Sequence, residues 1–168
     1  MHTSARTRRI DHTSAQQLQH VAYLEHASYS EAEAASAEQL QQRAEHAPEF
    51  FLIREDSSSS ALLGFVCGTL ASGEALTEES MFSHDPAGET LCMHSVVTRH
   101  DLRRTGIASE LVRAFVAAAR ADSRPKRVKL ICKDYLVLLY EKAASFESLG
   151  RSDVQHGGAQ WIEMCKEL

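Results

Sequence analysis

Between Val96 and Arg120 the chain reads VVTRHDLRRTGIASELVRAFVAAAR, and this stretch constrains the fold more than any other. A β-branched run passes through a polar turn into a helical pattern. Ile107, Leu111, Phe115 and Ala119 recur at four-residue spacing, with Val112 and Val116 widening the stripe, so the helix from Ala108 to Arg120 packs one face on a sheet. A second strand candidate, KRVKLIC (Lys126 to Cys132), follows. Strand, helix, strand in that order predicts a parallel crossover unit and an α/β (α+β) class. The turn is also chemically unusual. A capping residue would suffice, yet this one carries Arg103 and Arg104 and puts small residues at Gly106 and Ala108, leaving the backbone open to something that docks.

The remaining elements fit around that unit. Ser14 to His26 predicts a first helix behind a Ser14 cap, and Glu33 to His46 a second, ended by Pro48. Glu49 to Glu55 and Ala61 to Ala71, joined by DSSSS, predict a hairpin. Leu91 to Arg99 is the strand before the turn, and a last helix spans Leu136 to Ser145. Ser148 to Val154 and Gln160 to Lys166 close the sheet as an antiparallel pair. Residues 1–8 are expected to be a flexible lead, with a short strand near Arg9 to Asp11, and residues 1–168 a single domain without repeats.

Composition excludes several classes. With 18 Lys and Arg against 23 Asp and Glu, the net charge of −5 lacks the basic footprint of a nucleic-acid binder. No run approaches the roughly 18 apolar residues of a membrane span, so no membrane partner is expected. The four cysteines form no CxxC pair and no secretory leader is evident, which predicts reduced thiols in a cytoplasmic protein, monomeric or weakly dimeric. The nine histidines show no ligand spacing, and no metal is expected.

At a helix start the first N–H groups lack internal partners and the macrodipole adds positive charge, so an anion is favoured. Arg103, Arg104, Thr105, Gly106, Ile107, Ala108 and Ser109 could wrap a pyrophosphate with such groups. Neither GxxxxGK nor GxGxxG occurs here.

The RRTGIA turn resembles the (Q/R)-x-x-G-x-(G/A) signature of the GCN5-related N-acetyltransferases. LTEES (Leu76 to Ser80), HDPAG (His84 to Gly88), LCMHSV (Leu91 to Val96) and LLYEK (Leu138 to Lys142) are similar, in order and spacing, to the arylalkylamine (serotonin) N-acetyltransferases. YSEAEAAS (Tyr29 to Ser36) and APEFF (Ala47 to Phe51) resemble the non-vertebrate branch. The resemblance implies a mixed sheet of about six to seven strands with about four flanking helices. It also implies acetyl-coenzyme A (acetyl-CoA) as co-substrate and a small amine, either an arylalkylamine or a polyamine, as acceptor.

The resemblance further implies roles for single residues. Its strand carries two histidines separated by one residue as a base relay, and here those positions are Cys92 and His94. His94 is the better base, because a thiol with a reference pKa of about 8.5 is mostly neutral. Glu33 is a second candidate for base or amine anchor. Tyr140 matches the phenol that protonates the leaving thiolate. Val96, Val97 and Thr98 would hold the pantetheine arm through backbone groups, the Val96 N–H acting as an oxyanion donor. Tyr29, Glu33 and Met93, with Phe82 and the acidic Glu31 and Glu79, are candidates for the amine pocket. YEKAASF departs from the family's YEK-x-GF. A covalent acetyl-Cys92 intermediate is the less favoured route. Two other readings of the same fold stay open: a protein lysine or N-terminal acetyltransferase, and a non-catalytic acetyl-CoA-binding domain.

Overall fold

The computed structural model describes residues 4–168. Its centre is a seven-stranded sheet of order β1-β2-β3-β4-β5-β7-β6. The strands are β1 (Ala5–Arg9), β2 (Phe51–Asp56), β3 (Leu62–Ala71), β4 (Thr90–Thr98), β5 (Arg127–Cys132), β6 (Glu147–Arg151) and β7 (Ile162–Glu167). The described residues form four α-helices: α1 (Ala15–Ser28), α2 (Ala37–His46), α3 (Ile107–Ala121) and α4 (Val137–Ala144). β4 and β5 pair in parallel across the α3 crossover, and the other neighbours are antiparallel. The mixed sheet, its hairpin and its closing antiparallel pair match the expected architecture.

Two differences from expectation change what packs at the amino-terminal side, while other element ends shift by up to three residues, β6 ending at Arg151 and not Val154. The lead forms β1 at Ala5–Arg9, not a flexible segment with a strand at Arg9 to Asp11, because pairing with β2 puts Arg6 and Arg8 beside Glu55. Glu55 is 2% exposed and accepts from Arg6 Nε at 2.7 Å and Arg8 Nε at 2.9 Å. The hydrogen bond from Arg8 comes first among the causes that hold its carboxyl below the ordinary range. Residues 1–3 of the expected lead lie outside the described residues. α2 begins at Ala37, not Glu33, because Ser36 and Gln39 form a reciprocal capping box (3.1 and 2.9 Å) that satisfies two orphan donors there.

Each face of the sheet carries its own core. α3 and α4 cover one with Leu111, Val112, Phe115, Val116 and Ala119 against Val66, Leu70, Leu91 and Met93. α1 and α2 cover the other with Val21, Leu24, Leu40 and Ala44 against Phe51, Ile53, Phe65 and Val97. α3 lies so close to β3 that a Cβ at Gly68 would stand 2.6 Å from the Phe115 ring and 2.4 Å from the Cys92 carbonyl oxygen. Only glycine fits there.

Candidate active site

Two irregularities in β4 open the site. Against β3, Cys67 pairs with Ser95 and the next residue, Gly68, pairs with Met93, so His94 is the extra residue of a β-bulge. Against β5, pairing is confined to Thr90, Cys92 and the residue between them, opposite Arg127 to Lys129. Beyond Cys92 the two parallel strands splay, and β4, still paired with β3, turns an edge without a strand partner toward the gap as far as Thr98. A cavity of about 1040 Å³ fills the gap. Its wall includes His94, Val96, Val97, Thr98, Tyr140 and all of Arg103 to Ser109 except Thr105. Thr105 turns its hydroxyl onto the Leu102 carbonyl (2.5 Å) and closes the turn.

At the mouth of the splay, α3 starts without a side-chain cap. Gly106 has φ 95° and Arg104 φ 63°, so the chain enters the helix through two left-handed residues. The first internal bond runs from Glu110 N–H to the Gly106 carbonyl at 3.0 Å. The N–H groups of Ile107, Ala108 and Ser109 therefore lack helical partners and point at the cavity mouth, an arrangement suited to an anion. The Thr98 hydroxyl, buried in the same wall, is also without a partner.

The titratable groups divide sharply. His94 Nε2 lies 2.7 Å from the Thr69 hydroxyl. Burial, with smaller contributions from Arg43 and His156, holds its pKa well below 6.5, so the ring is neutral at physiological pH. Tyr140 is 6% exposed, packs edge-on against Phe146 with centroids 5.9 Å apart, and is kept protonated because burial raises its pKa well above 10. Cys92 does not line the cavity, and burial pushes its thiol up to about 11. That leaves it neither thiolate nor proton relay. Cys132, at the end of β5, is pushed up to about 12 for the same reason.

The other end of the cavity is built from side chains. The Tyr29 hydroxyl donates to the Val96 carbonyl (3.3 Å) and accepts from the Val96 N–H (3.4 Å), occupying the β4 edge where β5 has left it. Glu33 is engaged by Lys133 Nζ at 2.6 Å, and that ammonium sits 4.2 Å from the centre of the Trp161 ring. His156 Nε2 lies 3.0 Å from the Glu33 carbonyl, and Trp161 Nε1 donates to the His156 carbonyl at 2.8 Å. Together these contacts roof the cavity between the α1–α2 loop and the β6–β7 loop. Met93 lines the wall, Phe82 is 61% exposed at the rim, and Glu31 and Glu79 are exposed outside it.

Sequence reasoning missed Glu25, Arg43, Lys133, His156 and Trp161. Only Glu25 left a signal: it lies four residues after Val21 and four before Tyr29, on the stripe of α1 that faces the sheet. The roof joins residues a hundred or more positions apart, which no local pattern records.

The chain belongs to the acetyltransferase (GNAT) family, whose model matches residues 15–146. It is similar to serotonin N-acetyltransferase of Mesocricetus auratus, with 31% identity over 103 residues, 61% of this chain and 49% of that one. The human enzyme of the same name is 26% identical over the same length. The chain thus spans about half the length of these curated relatives. Among solved structures, the loading GNATL domain of CurA from Lyngbya majuscula superposes with a TM-score of 0.81 at 13% identity, covering 98% of both chains, a likeness of fold. Among the described residues no cluster of three or more His, Cys, Asp or Glu could hold a metal, and no helix is long and apolar enough to cross a membrane.

Proposed function

We propose that the protein transfers acetyl from acetyl-CoA to the primary amine of a small arylalkylamine, by direct attack within a ternary complex. One observation carries this reading: the free edge of β4, the uncapped start of α3 and the Tyr140 phenol all open into one continuous cavity. That combination suits a long donor with an anionic head and a reactive tail. The unpaired N–H groups of Ile107 to Ser109, with Arg103 and Arg104 beside them, would hold the pyrophosphate. The β4 backbone from Val96 to Thr98 would bind the pantetheine arm as an added strand. Acetyl-CoA supplies the acetyl group already activated as a thioester.

The chain's own groups manage the protons. An alkylammonium with pKa about 10 must lose a proton before it can attack. Neutral His94, anchored through Thr69, accepts that proton. The Val96 N–H polarises the thioester carbonyl once the Tyr29 phenol yields its place. Tyr140 hydrogen-bonds the departing thiolate and gives it a proton, and the phenol recovers one from the attacking nitrogen, which sheds its surplus proton as the amide forms. Glu33, already paired with Lys133, is assigned to the pocket wall and not to proton transfer. The roof favours a small acceptor over a polypeptide. Tyr29, Met93 and Trp161 favour an aromatic amine, whereas the Lys133 ammonium would repel the second charge of a polyamine.

The test is release of coenzyme A thiol from acetyl-CoA with tryptamine, serotonin, phenylethylamine, spermidine and a lysine peptide as acceptors. Release with the arylalkylamines is expected. Release with spermidine alone, or with the peptide alone, would move the acceptor to a polyamine or a protein. Binding of acetyl-CoA with no release from any acceptor would make the chain a non-catalytic binding domain.

A further inference from the structure

Glu25 stands out among the buried groups that the mechanism above does not use. It lies on the inner face of α1, is 2% exposed, and lines the cavity. Its Oε1 accepts two hydrogen bonds, from the Ala35 N–H at 2.9 Å and the Ser95 hydroxyl at 3.1 Å. Its Oε2 has no partner. Because both bonds fall on one oxygen, a glutamine would serve the α1–α2 loop and β4 equally well. The second oxygen and the negative charge remain unexplained by the fold.

A buried carboxylate oxygen without a donor is costly, and a buried charge without a counter-charge more so. Among the described residues no salt bridge to Glu25 supplies one. Arg43 donates through Nη2 to the Met81 carbonyl at 3.1 Å and points Nη1 at Cys67 Sγ at 3.9 Å, so its charge favours the carboxylate only through space, without an ion pair. The other groups acting on the carboxylate are Ser95, the Tyr29 phenol one turn along α1, the Cys67 thiol and His26, the next residue of the helix, and none of them forms a salt bridge with it. Burial accordingly raises the Glu25 pKa above its ordinary value.

We infer that Glu25 is the receptor for the ammonium of the acceptor, so that the site selects molecules arriving as cations over neutral isosteres of the same shape. This inference rests on the acetyltransferase reading and names the charge state of its acceptor. Its position adjoins the chemistry, since Glu25, Ser95, which holds Oε1, and His94 all line the same cavity. The ammonium would be seated by Glu25 and would lose its proton to the neighbouring imidazole.

The experiment measures binding to the protein saturated with coenzyme A, where no turnover occurs. Two pairs of probes differ only in charge: tryptamine against tryptophol, and 1,4-diaminobutane against 1,4-butanediol. The wild type should bind at least one amine tenfold or more tightly than its alcohol. Glu25→Gln should bring that ratio below twofold while coenzyme A and alcohol binding hold. Should the glutamine variant not bind coenzyme A, Glu25→Asp keeps the charge but retreats by one methylene, and should lower the ratio at least threefold. A wild type that binds neither amine, or does not distinguish amines from alcohols, overturns the proposal, as does a ratio unchanged by either substitution. A purely structural Glu25 would weaken coenzyme A, amine and alcohol together. Thiol release from a neutral acceptor as readily as from its amine would overturn the inference while leaving acetyl transfer standing.

Discussion

The two ends of the cavity are made of different material. The end at the α3 start is backbone: unpaired N–H groups, a strand edge left open after Cys92, and two left-handed residues. The end under the roof is side chain: Glu25, Tyr29, Glu33, Lys133, His156 and Trp161 meet there from both termini of the sheet. A backbone site depends on φ, ψ and the absence of bulk, so it tolerates many sequences. A side-chain site depends on identity, and there a single substitution can redirect what binds.

That contrast can be tested by which kinetic parameter moves. The largest effect is expected where the two ends meet: Tyr140→Phe should lower kcat by about 10²–10³, within the usual range for a general acid, with acetyl-CoA affinity unchanged. His94→Ala should lower it by about 10². His94 also fixes a pH limb. Its depressed pKa keeps the ring neutral throughout the neutral range, so the wild-type rate should fall only well below pH 6.5. The alanine variant should lose that limb, and a wild-type limb at or above pH 6.5 would remove His94 from the role.

The next effect should fall on the backbone end alone. A β-branched residue held at φ 95° costs on the order of 1–2 kcal/mol, so Gly106→Val should weaken acetyl-CoA about tenfold with the amine KM unmoved. At the side-chain end, Lys133→Ala should raise the amine KM about fivefold by loosening Glu33 and uncovering Trp161, and leave acetyl-CoA binding alone. The smallest effect is expected at Cys92→Ala, below about twofold in rate, since a buried neutral thiol takes no part in proton transfer. A large loss there would restore the covalent route.

The same contrast explains how much was legible in the sequence. The donor end could be read from RRTGIAS and the stripe of α3, because local backbone geometry leaves local residue signatures. The strand and helix order was legible for the same reason. The start of α2 was not, because glutamates at 31 and 33 suit a helix start as well as the true cap, Ser36. Nor was β1, whose five residues are held by an acid nearly fifty positions away. Glu33 drew attention through its family position, but the ammonium that engages it lies just past the end of β5, a hundred positions away. Lone residues brought together by topology leave no pattern to count.

The brief parallel seam between β4 and β5 has a further consequence. Within the sheet itself, three residue pairs join one panel, β1 to β4, to the other, β5 to β7. Deuterium exchange should find the Val96 and Thr98 amides, which face the gap, before those of Ser95 and Val97, which face β3, and heat should part the panels there first. A donor laid along that edge acts as a stitch between them. At a hundredfold excess over its Kd it would add about 2.7 kcal/mol to stability, so the molecule would melt as a more cohesive body with its co-substrate than without it.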